Sequence, residues 1–216
     1  MMAPISVPTL LIAACCTPGF ARGGLRSLMQ AWSPVNPSCI CALDFDETLR
    51  VPNSDYSDYD TPPSDAGAMA AGKKEKHATL SCRATTDEVI RACLTTPCKV
   101  AVASANGNRE KLTSVLPRLY GNLGLFTYEF FESPAFQYGN SDKAPMLKAI
   151  LNFFGIPSPS CMTLFDDKEL NEKYAEQVGA NFVLVDPSTG IQRHNFNAGM
   201  DAMPDECFPG GRPTKI

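Results

Sequence analysis

Two aspartates, Asp44 and Asp46, stand one residue apart at the end of the apolar run Ile40-Cys41-Ala42-Leu43. In an extended segment the side chains at i and i+2 point to the same side. Two carboxylates on one side repel each other and lose water on burial, so they need compensation. A divalent cation supplies it, and one carboxylate can then act as nucleophile or metal ligand and the other as acid/base. Alone, Asp-x-Asp is a common strand end followed by an acidic turn. Three further polar sites narrow the chemistry. Ser104 closes the apolar run Val100 to Ala103, Lys143 precedes a segment of helical periodicity, and Asp166-Asp167 close the run Met162 to Phe165. Taken singly, these are a capping serine, a solvated lysine and capping aspartates. In this order at strand ends they converge on one crevice, because open α/β sheets bind ligands beyond the C-terminal ends of their strands.

The elements that must position them alternate. Strands are expected over about Cys39 to Phe45, Cys98 to Ala103, Leu125 to Phe131, Cys161 to Phe165 and Asn181 to Val185. The first, second and fourth are short apolar runs bounded by polar residues, as buried strands are. The stretch from Leu125 is rich in aromatic and other β-forming residues. Helices are expected from Asp87 to Leu94 with Thr85 or Thr86 as cap, from Arg109 to Tyr120 with a disturbance at Pro117, from Pro145 to Phe154, and from Glu169 to Val178 with Gly179 as stop. Asn106-Gly107-Asn108 reads as a turn. Strand-helix alternation predicts an α/β fold, a three-layer Rossmann-like parallel sheet.

The run Asp44-Phe45-Asp46-Glu47-Thr48-Leu49 resembles the first motif of the haloacid dehalogenase superfamily, and the ordered set Ser104, Lys143 and Asp166-Asp167 resembles the rest of its layout. Val102-Ala103-Ser104, Leu125-Phe126-Thr127-Tyr128, Ser141-Asp142-Lys143 and Leu164 through Asn171 are similar to the eukaryotic magnesium-dependent phosphatase (acid phosphatase-like) family, a largely capless branch. The similarity spans about Ser38 to Gly190. It implies that Asp44 is the nucleophile of an aspartyl-phosphate intermediate and Asp46 the acid/base. Ser104, Asn106 and Lys143 would bind the substrate, with Ser104 and Lys143 also catalytic. Mg²⁺ would be held by Asp44, Asp46 (through its backbone carbonyl), Asp166 and Asp167. Phosphoryl transfer is mainly positioning and charge stabilisation, which such a set supplies. The second carboxylate of the Asp-x-Asp pair favours phosphomonoester hydrolysis over dehalogenation. Glu47-Thr48-Leu49 is closer to polymerase-tail-type protein serine phosphatases, which keeps that alternative open beside a non-catalytic module of the same fold. The substrate is accordingly a phosphorylated small molecule or a phosphoprotein.

Composition excludes other classes. The chain has 216 residues, 44% of them hydrophobic, and a net charge of -4. With a pI near 5.2 it lacks the basic character of a general nucleic-acid binder. No apolar run reaches the roughly 20 residues of a membrane span. His77 and His194 belong to no triad pattern, and no Gly-x-x-x-x-Gly-Lys-Ser/Thr loop occurs. Nine cysteines without a Cys-x-x-Cys pair argue against zinc. They read as free thiols in a reducing compartment, with Cys39 and Cys41 on one side of the first strand. Cytoplasmic location follows as the expectation. Residues 1–37 are an acid-poor extension bearing Arg22 and Arg26, either plain or an organelle-import leader. Residues 38–200 form the expected catalytic domain, with a Pro-, Gly- and Asp-rich insertion at about 51–78 read as a long loop or flexible segment. Residues 201–216 read as an irregular tail. The sequence does not fix the oligomeric state.

Overall fold

A computed structural model describes residues 37–50 and 74–216. Five strands form one parallel sheet: β1 (Cys39–Leu43), β2 (Cys98–Ser104), β3 (Phe136–Tyr138), β4 (Met162–Asp166) and β5 (Asn181–Leu184). Their spatial order is β3-β2-β1-β4-β5. Among the described residues six α-helices connect and cover them: α1 (Lys74–Thr95), α2 (Arg109–Tyr120), α3 (Tyr128–Glu132), α4 (Lys143–Phe154), α5 (Glu172–Val178) and α6 (Arg193–Ala202). This is the α/β Rossmann-like sheet that the alternation of elements predicts.

Every residue of β1 is buried, so the strand runs through the centre with apolar side chains on both faces. Its register sets Leu43 beside Val102 of β2 and Phe165 of β4. The three strand ends that carry Asp44, Ser104 and Asp166 are therefore neighbours. Asp44 N–H still donates to the Phe165 carbonyl, at 2.9 Å, which places the first aspartate at the last rung of the ladder.

Four expectations need correction. The aromatic stretch from Leu125 to Phe131 is not a strand: its second half is α3, and β3 begins only at Phe136. Thr127 decides this, because its hydroxyl caps α3 by accepting from Phe130 N–H. The aromatic residues then serve packing rather than pairing. Phe126 and Phe130 meet edge to face at 5.3 Å, as do Phe131 and Phe136 at 5.0 Å. Second, α1 starts at Lys74 rather than near Asp87, so the end of the expected loop is helical. No Gly or Pro interrupts residues 74–95. Thr86 is buried inside that helix, where its hydroxyl donates to the Ile191 carbonyl at 3.4 Å. The remainder of the 51–78 insertion, and residues 1–36, lie outside the described residues. Third, α2 runs unbroken through Pro117 and ends three residues later.

The fourth correction concerns the cysteines. Cys39 is bonded to Cys98, and Cys161 to Cys207; Cys41 and Cys93 are buried thiols. Parallel pairing places Cys39 directly opposite Cys98, a juxtaposition that a separation of 59 residues hides. The reading of a reducing compartment rested on free thiols and loses that ground.

Helix α6 was not anticipated. Gln192 and Asn195 form a reciprocal cap at its start. Gly199 in its middle lets it lie against β4, where a Cβ would come within 2.4 Å of the Phe165 ring. Its carbonyl accepts from the Thr163 hydroxyl at 3.1 Å. Beyond it Met203, Cys207 and Phe208 are buried, and Arg212 donates to the carbonyls of Met200 and Met203 at 2.6 and 2.7 Å.

Candidate active site

Lys143 is the buried centre of the site. It opens α4, where the carboxylate of the preceding residue, Asp142, caps the helix by accepting from Ala144 N–H at 3.0 Å. The side chain is 1% exposed, and its ammonium donates to both Asp44 and Asp166. A buried ammonium is costly unless paired, and two carboxylates from two strands pair it. Burial alone would lower its pKa; Asp44 and Asp166 outweigh that and hold it raised, so Lys143 is a fixed cation.

Asp44 is 6% exposed. Burial pushes its carboxyl up to about 6, against the pull of Lys143 and with the help of the nearby Asp166 charge. Asp166 is fully buried and heavily bonded. Lys168 N–H donates to its Oδ1 at 2.9 Å, and Asn171 Nδ2 donates to both carboxylate oxygens, each at 2.9 Å. Asn171 stands within the stretch that carries the family resemblance, but five residues past Asp166 no sequence signal assigns it a partner. Asp167 behaves differently. Burial, a hydrogen bond with Glu47 and the charge on Asp44 raise its carboxyl to about 7. Its Oδ1 is buried without a hydrogen-bond partner.

Asp44, Asp166 and Asp167 each offer an oxygen, and these atoms lie within 4.8 Å of one another. A cluster of three carboxylates with one orphaned oxygen and two raised pKa values fits a hard divalent cation, which takes oxygen ligands. The turn after β1 brings Glu47 toward this cluster with φ of 64°, a left-handed conformation that a glutamate seldom adopts.

Asp46 is held by a separate set of partners. Arg50 NH1 donates to Oδ1 at 3.1 Å, Asn106 Nδ2 donates to Oδ2 at 2.6 Å, and Lys111 Nζ lies 3.9 Å from Oδ1. Ser104 is buried at the end of β2, and its hydroxyl oxygen accepts from Asn106 N–H at 3.1 Å. The structure thus brings Asp44, Lys143, Asp166 and Asp167 into one cluster, and links Ser104 and Asp46 through Asn106 beside it. Arg50 and Lys111 were not singled out from the sequence. One lies beyond the Asp-x-Asp motif and the other inside a helix, where a basic residue is unremarkable. Among the described residues no helix is long and apolar enough to cross a membrane.

A family model described as Acid Phosphatase matches residues 37–206. The match covers β1 through the start of the tail and includes all seven residues that sequence reading placed at the site. No curated protein matches the chain.

Proposed function

Since the chain belongs to the acid phosphatase family, a family of haloacid dehalogenase-like phosphatases, and is a phosphatase, we propose that it hydrolyses phosphomonoesters through an aspartyl-phosphate on Asp44 with Mg²⁺ as cofactor. The observation that carries this reading is the double contact of Lys143 with Asp44 and Asp166 beside the three-carboxylate cluster.

Asp44 attacks phosphorus and the ester oxygen leaves. Its ionised form is the nucleophile, and Lys143 favours that form by donating to it. Lys143 also balances charge as a dianionic phosphate arrives at a buried carboxylate. Asp46 gives a proton to the departing oxygen, then accepts one from the water that cleaves the acyl phosphate. The Ser104 hydroxyl donates to the phosphoryl group. Asp44, Asp166, Asp167 and the Asp46 backbone carbonyl would hold Mg²⁺, which when bound neutralises phosphoryl charge. Asn171 keeps Asp166 turned inward for that role. The substrate is a phosphorylated small molecule or a phosphoprotein.

The test is hydrolysis of p-nitrophenyl phosphate with Mg²⁺ and with EDTA. Activity is expected with Mg²⁺ and lost with EDTA. Asp44→Asn should lose at least about 1,000-fold in kcat, in line with removal of a covalent nucleophile. Full activity in Asp44→Asn would overturn the mechanism.

A further inference from the structure

The acid/base carboxylate is held from two sides, by its own turn and by the turn after β2. Asp46 receives one donor on each oxygen, from Arg50 and from Asn106. Neither donor is a loose surface group. Arg50 is 2% exposed, and the backbone around it closes on itself. Arg50 N–H donates to the Phe45 carbonyl at 2.8 Å, and Glu47 N–H donates to the Arg50 carbonyl at 2.6 Å. That ring is anchored from outside by the Tyr120 hydroxyl, which donates to the Leu49 carbonyl, and by Ile191 N–H, which donates to the Thr48 carbonyl at 3.0 Å.

Asn106 is oriented just as firmly. Its Oδ1 accepts from Asn108 N–H at 2.9 Å, so its Nδ2 is the end that faces Asp46. A hydrogen-bonded chain therefore runs from Ser104 through Asn106 and Asp46 to Arg50, joining the ends of β2 and β1. An aspartate on a turn otherwise rotates freely about two side-chain bonds. Donors on both oxygens, supplied by two separate elements, leave it one orientation.

We propose that Arg50, together with Asn106, is a positioning residue that fixes the Asp46 carboxylate for proton transfer. The proposal rests on the reading of Asp46 as acid/base. Its consequence depends on the leaving group. A basic alkoxide needs a proton as the ester bond breaks, whereas p-nitrophenolate leaves without one. Misplacing the carboxylate therefore harms leaving-group departure from alkyl phosphates selectively, which kcat/KM reads, whereas hydrolysis of the shared acyl phosphate slows alike for both substrates and shows in kcat.

The experiment compares β-glycerophosphate and p-nitrophenyl phosphate in wild type, Asp46→Asn, Arg50→Met and Arg50→Lys. Asp46→Asn should lose about 100-fold or more in kcat/KM on β-glycerophosphate and far less on p-nitrophenyl phosphate. Arg50→Met should show the same selectivity at about 10- to 100-fold in kcat/KM. Arg50→Lys keeps the charge but not the forked donor, so it should show a smaller loss of the same kind. It also stands in where the apolar variant does not fold. Equal losses in kcat/KM on both substrates would overturn the proposal in favour of a merely structural arginine, and so would no loss on either. A crystal structure of the Arg50 variant separates this from the wider reading. Asp46 should turn away from Asn106, and an unmoved Asp46 would overturn the clamp whatever the activity. If Asp46→Asn shows no selectivity while the variant structure shows Asp46 displaced, the acid/base reading fails and the proposal falls with it, although the contact is real.

Discussion

The two ends of the sheet are held by opposite chemistry. At the N-terminal end the ties are covalent: Cys39–Cys98 joins β1 to β2, and Cys161–Cys207 joins the turn before β4 to the tail. Near the C-terminal end the tie is ionic, through the Lys143 ammonium between Asp44 after β1 and Asp166 at the end of β4. A disulfide constrains the chain and offers no charge. A buried ion pair adds little net stability, because desolvation offsets its attraction, but it keeps charge where a reaction needs it. One end is therefore framework, and the other spends stability on electrostatics. Four perturbations would separate them.

The largest structural effect is expected from Lys143→Met. It leaves Asp44 and Asp166 buried without their cation, and removal of one member of a buried ion pair costs about 3–5 kcal/mol. Thermal unfolding should drop sharply without metal, and Mg²⁺ should restore part of the loss. A variant as stable as wild type without metal would show that Lys143 does not hold the C-terminal end. Opening Cys161–Cys207 with a double serine substitution comes next, at about 2–5 kcal/mol for a native disulfide. Here Tm should fall while kcat of the folded fraction stays unchanged. A fall in kcat would show that the two ends are coupled.

Gly199→Ala should cost about 1–3 kcal/mol, because the added methyl meets the Phe165 ring one residue before Asp166. Calorimetry measures the loss, and Mg²⁺ affinity should weaken if Phe165 carries the strain into the site. The smallest effect is the pH dependence of stability without metal. The folded-state pKa values of Asp44 and Asp167, about 6 and about 7, lie above the ordinary 3.8. Their contribution to stability is thus fully present below the ordinary value and is lost as pH rises through 6 and then 7. Tm of metal-free protein should fall by several degrees between about pH 4 and about pH 8, apart from whatever other groups add. Mg²⁺ should raise Tm more at the upper pH, where both carboxylates are ionised. A Tm that rises across this interval would contradict the crowding of these carboxylates.

Much of the sheet was legible because buried strands and amphipathic helices leave local periodicity. β2 and α2 have nearly the expected bounds, and α4 begins two residues earlier than expected, at Lys143 itself. The failures share a cause. Aromatic residues at 125–131 suit a strand and a packed cluster equally, and only the Thr127 cap and the neighbours of Phe130 resolve the choice. Helix α6 carries Asn and Gly, which have weak helix propensity, and it exists by docking on β4 and β5.

The order of Asp44, Ser104 and Asp166 at strand ends, with Lys143 at a helix start, belongs to the sequence, since alternating pattern and strand polarity bring such positions to one edge. Which groups touch does not. That Lys143 bridges two aspartates, that Asn171 serves Asp166, that Arg50 and Asn106 clamp Asp46, and that Cys39 meets Cys98 all depend on register and on loops closing over long separations. Local pattern encodes which face a residue takes; partners across the sheet are chosen only when the strands pair.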